Sequence, residues 1–365
     1  MRVLFYVGDK RWSGSSRAVL SAARGLVARG HFVTVACCAD SRLDELARAA
    51  EIETVPVNAD ASAAGGAWDL RKVIQSKFIE VAVVTSERDQ LIVSSARLFA
   101  DRGAVLRRVP CFDSLELQRG GKLALRLAAS GLIITTQREL DELPRAGWAL
   151  PPAIVPLGVD VAAYDELEPV SRALLEAPSE GMIIACHYDE SGRYRIATVF
   201  RTLALLAPRH RNMHVVVFGP GSLDEELKMH ASALGVGALV SFVGDAPDEL
   251  DVMRAAEAGW IVSGGDTAAY ACLDFMAMRI PVIADKSPLT QHFVADAITG
   301  TLLPPAEPAN IASSVAAFLA SRERMAAMGN AARTRVQREF TESAMIDAFE
   351  RAVNAGGDRS QWSKR

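Results

Sequence analysis

Apolar runs of strand length alternate with amphipathic segments of helical period along nearly the whole 365-residue chain. A short apolar run bounded by polar residues suits a strand buried on both faces, and its alternation with helices predicts parallel sheets covered on both sides. The fold class is therefore α/β. Strands are expected at Val3 to Val7, Phe32 to Cys37, Val81 to Thr85, Val105 to Val109 and Leu132 to Thr135 in the first half. In the second half they fall at Met182 to Cys186, His214 to Phe218, Leu239 to Val243, Gly259 to Val262 and Pro281 to Ala284. Helices such as Arg17 to Arg29 lie between them, and the chain closes on helical runs at Glu323 to Arg338 and Glu342 to Asn354. Two sheets follow from this pattern. The stretch Pro156 to Pro169, with Gly158 and several acids, reads as a linker, so one domain over 1–160 and another over 161–341 are expected, with a ligand cleft between them.

With 50% apolar residues the chain can fill two cores of ordinary size. Lys plus Arg (40) and Asp plus Glu (44) nearly cancel, and a formal charge of −4 argues against nucleic acid as the main partner, because phosphate contacts need clustered positive charge. The five cysteines (Cys37, Cys38, Cys111, Cys186 and Cys272) form no C-x-x-C pair and read as reduced thiols of a cytoplasmic protein. No run approaches the ~20 apolar residues of a membrane span. No D-x-D occurs, and no metal or other cofactor is implied. In QRGGKLALRLAAS, residues 118–130, Arg119, Lys122 and Arg126 stand beside leucines; a solvated helix face is the expected role, contact with a membrane surface the alternative.

The segment SGGDTAAYACLDFMAMRIPVIAD, Ser263 to Asp285, concentrates the candidate chemistry. Gly264 and Gly265 form a turn that opens a helix with Asp266 at its mouth and Asp274 eight positions on. At 1.5 Å per residue the two acids lie ~12 Å apart along the axis. Helix-start N–H groups and the positive dipole end suit a phosphate, while the two acids can accept hydrogen bonds from hydroxyls on either side of it. A nucleotide sugar has that order of groups: sugar, diphosphate, ribose. Acids near a helix start also serve simply as caps.

The LDFMAMRIPVIA stretch, together with RVLFYVG from residue 2, IVPLGVDVAAYD at 154–165 and TGTLLPP at 299–305, resembles the family 4 (group 1) glycosyltransferases of the GT-B fold. That resemblance implies two Rossmann-like domains facing across a cleft, with the tail 342–365 crossing back onto the first, acceptor-side domain and 161–341 binding the donor. By resemblance, Asp266 matches the catalytic acid that contacts the transferred sugar and Asp274 the acid that holds the ribose hydroxyls. Thr267, Ala268 and Ala269 would supply backbone N–H groups where the family has Gly-Phe-Gly. In ACHYDESGRYRIATVF, Arg193 or Arg195 would replace the lysine of the family's diphosphate clamp, with His187 or nothing in place of its arginine; Arg193 is assigned to catalysis and Arg195 to donor binding. Gly219 and Gly221 of FGPGSLDEEL, and Phe242, Val243 and Gly244 of SFVGDAPDEL, would border the donor. Gln291 stands where many relatives have a further glutamate, with His292 beside it. In GDKRWSGSSRAVL the turn at Gly14, followed by Ser15, Ser16 and Arg17, resembles the family's GGxxR loop on the cleft wall of the first domain. The same turn lacks the three close glycines of a dinucleotide fingerprint, which argues against a dehydrogenase.

The implied activity is retaining transfer of a sugar from a nucleotide-diphosphate sugar to an unidentified acceptor, whether glycan, lipid or small metabolite. Both acids are one methylene shorter than the family's glutamates, and the arginine-lysine clamp has no full counterpart. These departures support a second class, a catalytically inactive glycosyltransferase-like protein that binds a partner or nucleotide. A sugar-nucleotide epimerase on the same architecture is a third reading.

Overall fold

The computed structural model describes residues 1–59, 62–100, 103–112, 129–143, 149–210, 212–244 and 249–358. They form two compact units: Met1–Gly158 with Glu342–Arg365, and Val159–Thr341.

The first unit is built on a parallel seven-stranded sheet. Its strands are β1 (Arg2–Val7), β2 (Phe32–Cys38), β3 (Glu53–Val57), β4 (Val81–Val84), β5 (Ala104–Arg108), β6 (Gly131–Ile134) and β7 (Ala153–Ile154), in the order β3-β2-β1-β4-β5-β6-β7. Alternate residues of β1 serve different cores, Val3, Phe5 and Val7 on one face and Leu4 and Tyr6 on the other, so the sheet is buried on both sides. The Glu342–Gly357 helix belongs to this unit: Phe349 packs against Phe5 with ring centroids 5.7 Å apart, and Arg29 pairs with Glu350 at 2.6 Å and with Asp347.

The second unit carries a parallel six-stranded sheet of β8 (Met182–His187), β9 (Met213–Phe218), β10 (Val240–Gly244), β11 (Ala258–Ile261), β12 (Val282–Asp285) and β13 (Gly300–Leu303), ordered β10-β9-β8-β11-β12-β13. In both sheets the order reverses beside the first strand, between β1 and β4 and between β8 and β11. Loops leaving the C-terminal ends of two such strands diverge to opposite faces and leave a crevice where α/β proteins bind ligands. In the second unit those loops are Tyr188–Gly192 and Val262–Gly265.

Three strands depart from the sequence expectation. β3 and β13 are edge strands and β7 has only two residues. Pro56 interrupts the pattern of β3, and its residues are only partly buried, so no continuous apolar run marks it. Nor is the stretch 156–169 a featureless linker: Val161–Asp165 forms a 3-10 helix with Tyr164 buried. Arg333 anchors it, donating 2.5 Å and 2.7 Å hydrogen bonds to Asp165 and the Ala277 carbonyl. Among the described residues no helix is long and apolar enough to cross a membrane.

Candidate active site

The Val262–Gly265 turn leads from β11 into the Gly265–Ala277 helix, which is apolar nearly all round and buried from Ala268 to Ala277. Gly264 is the N-cap in an extended conformation, and Gly265 follows at φ +54, a left-handed position that a side chain would strain. Asp266 and Asp274 are each only 3% exposed. Asp274 Oδ1 accepts a 2.5 Å hydrogen bond from the Tyr164 hydroxyl. Sequence reading missed Tyr164 because nothing local marks a partner that is 110 residues away.

One assignment needs correction here. The Ala268 amide donates to the Gly264 carbonyl at 3.1 Å, closing the first helical turn, and Ala269 lies one residue deeper. Neither can present its N–H at the helix mouth, because α-helical amides from this point bond to the carbonyl four residues earlier. Thr267 remains in the first turn.

Arg195 is also placed differently from a phosphate clamp. Its Nε donates to the Val262 carbonyl and its Nη2 to the Ser263 carbonyl, both at 2.9 Å, so much of its donor fork is spent on the turn itself. From the loop after β8, Asp189 Oδ2 accepts from the Gly264 amide at 3.2 Å, while its Oδ1 accepts from the Ser191 hydroxyl at 2.5 Å and the Gly192 amide at 3.2 Å. Buried His187 places Nδ1 2.9 Å from Ser263 Oγ and Nε2 3.7 Å from Glu249. Asp189 was not among the expected site residues.

Arg193, at the start of the Arg193–Leu206 helix, pairs with Glu226 and lies 3.9 Å from Asp224. It lines a cavity of about 480 Å³ with Tyr188, Glu190, Gly221, Leu223, Asp224 and Gly244. Three residues singled out in the sequence, Arg193, Gly221 and Gly244, thus meet at one cavity. Gly219 and Gly244 shape it from behind: the Gly219 amide bonds the Gly244 carbonyl at 3.0 Å, and a Cβ on Gly219 would stand 2.4 Å from the Tyr188 carbonyl oxygen. Phe242 packs edge-on against Phe200, 6.2 Å between centroids, and joins the core of the unit; Val243 falls at a register irregularity before Gly244.

In the first unit the helix begins at Gly14, before Ser15, Ser16 and Arg17, because Ser13 is its N-cap and accepts from the Ser16 amide at 3.3 Å. Buried Asp89 stands across the β1–β4 crevice and accepts from the Gly8 amide at 3.3 Å; burial holds its carboxyl above the usual carboxylate range.

Other candidates are placed as follows. Burial, and then the Asp274 carboxylate, pushes the Cys272 thiol up to about 12, which leaves it protonated and unreactive. Gln291 is exposed. His292 packs against Phe293 and Phe340, with its pKa lowered by burial and then by Arg335. Among the described residues no group of three or more His, Cys, Asp or Glu side chains is placed to hold a metal ion. Arg119, Lys122 and Arg126 lie outside the described residues.

Comparison with known proteins agrees with this architecture. Residues 165–335 match the family model described as Glycosyl transferases group 1. The chain is 22% identical over 180 residues to the lipopolysaccharide core biosynthesis glycosyltransferase LpsE of Rhizobium meliloti (strain 1021), covering 49% of this chain and 52% of that protein. It is 26% identical over 244 residues to the D-inositol 3-phosphate glycosyltransferase of Saccharomonospora viridis, covering 62% of this chain and 57% of that one. The chain thus spans little more than half the length of these relatives. Among solved structures, Anabaena Alr3699/HepE in complex with UDP and glucose superposes with a TM-score of 0.81 at 15% identity, covering 97% of this chain and 100% of that one. The two parallel-sheet units have the GT-B architecture, and residues 165–335, all within the second unit, carry the group 1 glycosyltransferase match.

Proposed function

We propose that the protein is a glycosyltransferase, resembling family 4, that moves a sugar with retention of configuration from a nucleotide-diphosphate donor to an acceptor. The observation that carries the proposal is the Gly265–Ala277 helix: its start lies at the β8/β11 crevice of the unit that matches group 1 glycosyltransferases, with one buried carboxylate at its mouth and another two turns deeper. The helix dipole favours the departing diphosphate. Asp266 orients the sugar as positive charge grows at its anomeric carbon, an interaction strongest in the transition state. Asp274, fixed by Tyr164, addresses the ribose. The cavity of about 480 Å³ has room for a nucleobase, and it shares the loop after β8 with the helix mouth, since Tyr188 and Glu190 line the one while Asp189 bonds Gly264 at the other. The UDP and glucose in the Anabaena relative belong to a ligand class that suits this arrangement. The acceptor is a glycan, lipid or small metabolite.

One observation favours the second reading, binding without turnover. Arg195 is committed to two carbonyls and Arg193 to Glu226, so the family's two-cation clamp has no counterpart in these side chains.

A ligand that binds only the folded state adds RT ln(1 + [L]/Kd), about 2.7 kcal/mol at a hundredfold excess over Kd. Millimolar uridine, guanosine, adenosine or thymidine diphosphate is therefore expected to raise the melting temperature, at least one of them clearly. No shift with any of the four removes the donor site and leaves only binding to a non-nucleotide partner.

A further inference from the structure

The turn before Asp266 is held by the end of β8, the loop after it and the helix beyond. The Val262 and Ser263 carbonyls accept from Arg195, the Ser263 hydroxyl pairs with His187, and the Gly264 amide donates to Asp189. The two loops touch so closely that a Cβ on Gly192 would stand 2.1 Å from the Val262 carbonyl oxygen. Gly265 comes next, at φ +54 with open space where its side chain would be. A glycine there neither packs nor prefers one backbone region, so its conformation depends on what fixes its neighbours. Directly after it stands Asp266.

We infer that Arg195 and Asp189 are positioning residues for Asp266, acting through the Val262–Gly265 turn and not through contact with the donor's phosphates. This rests on the reading of Asp266 as the sugar-side acid. Arginine suits the task because its planar fork sends two fixed N–H groups to consecutive carbonyls, whereas a lysine ammonium is a point charge on a flexible stem. A clamp for diphosphate would behave in the opposite way: lysine would conserve the charge and most of the affinity. Geometry matters at this position, since a displacement of ~1 Å at a reacting centre can cost ~100-fold in rate.

The test combines Arg195→Lys, Arg195→Ala and Asp189→Ala with two readouts. Amide hydrogen exchange of nucleotide-free protein comes first: Gly264 to Thr267 are expected to exchange faster in all three variants, while strands β8 and β11 stay protected and report an intact fold. Kinetics come second. Arg195→Lys is expected to lower kcat by about tenfold or more, close to Arg195→Ala, with donor KM and nucleotide diphosphate Kd within about threefold of wild type. Unchanged exchange at Gly264 to Thr267 overturns the inference. So does recovery of kcat by lysine together with a loss of diphosphate affinity in alanine, the signature of a phosphate clamp. If wild type binds and turns over no nucleotide sugar, the donor-site reading fails, and the exchange experiment still decides whether the two side chains hold the turn.

Discussion

The Tyr164 hydroxyl donates a 2.5 Å hydrogen bond to Asp274, joining a 3-10 helix at the start of the second unit to the middle of its most deeply buried helix. A carboxylate that is only 3% exposed needs such donors, since an ionised group out of water is costly unless hydrogen-bonded. The bond fixes the direction of Asp274.

Tyr164→Phe leaves the ring and removes that donor. The variant should be about 1–3 kcal/mol less stable, the usual effect of removing one partner of a buried hydrogen bond to an acid. Its nucleotide affinity should also fall while kcat changes little if Asp274, as proposed, serves the ribose and not the reacting centre. Urea denaturation and calorimetry with nucleotide diphosphate check the two parts.

Asp285, at the end of β12, gives a pH-dependent outcome. Burial raises its pKa above the ordinary 3.8, and the nearby Arg195 charge only partly offsets this. A carboxyl raised in the folded state favours folding below its ordinary value and loses that contribution as pH climbs through the raised one. Asp285→Asn cannot ionise. It should therefore melt higher than wild type near pH 7, and the difference should vanish below about pH 4, the unfolded-chain value. Melting curves across that range suffice, and a gain that persists at low pH would contradict the assignment.

Two glycines separate conformational strain from collision. Gly265→Ala meets no atom within 4 Å but must adopt φ +54, a penalty of roughly 1–2 kcal/mol that asparagine partly avoids. Gly192→Ala needs no unusual backbone angle, yet its Cβ would lie 2.1 Å from the Val262 oxygen and force the two loops apart. Gly192→Ala should consequently lose more stability than Gly265→Ala, and only Gly265 should accept Asn with less harm than Ala. Denaturant midpoints of the alanine and asparagine variants at both positions test the ranking.

The fold class was legible because parallel strands buried on both faces leave continuous apolar runs such as Val81 to Thr85 and His214 to Phe218. Edge strands β3 and β13 were not, since β3 is largely exposed or half-buried and interrupted by Pro56, and β13 has only four residues opened by Gly300, so neither carries such a run. The Asp266/Asp274 helix could be found from residue spacing alone. Its supports could not: Tyr164 is 110 residues from Asp274, and Asp189 and the true bonding of Arg195 depend on β8 lying beside β11, a neighbour relation set by the strand order of the whole sheet and not by any local pattern. Likewise, the exact helix start decides which amides remain at its mouth, and a shift of one or two residues removed Ala268 and Ala269 from the expected set.

Donor turnover by Asp266→Asn beside wild type, with calorimetry of nucleotide diphosphate binding to both, tests the donor site most directly. Uridine, guanosine, adenosine and thymidine diphosphate sugars are the substrates, and released nucleoside diphosphate is the readout. The side chain of Asn nearly matches Asp in size but lacks its charge, so Asp266→Asn should bind nucleotide like wild type and lose about 100-fold or more in kcat, as expected when an interaction specific to the transition state is removed. Asp274→Asn, run alongside, should instead raise the donor KM. Equal turnover by Asp266→Asn and wild type would contradict the role of Asp266, and a wild-type protein that binds nucleotide but releases none from any donor would establish binding without transfer.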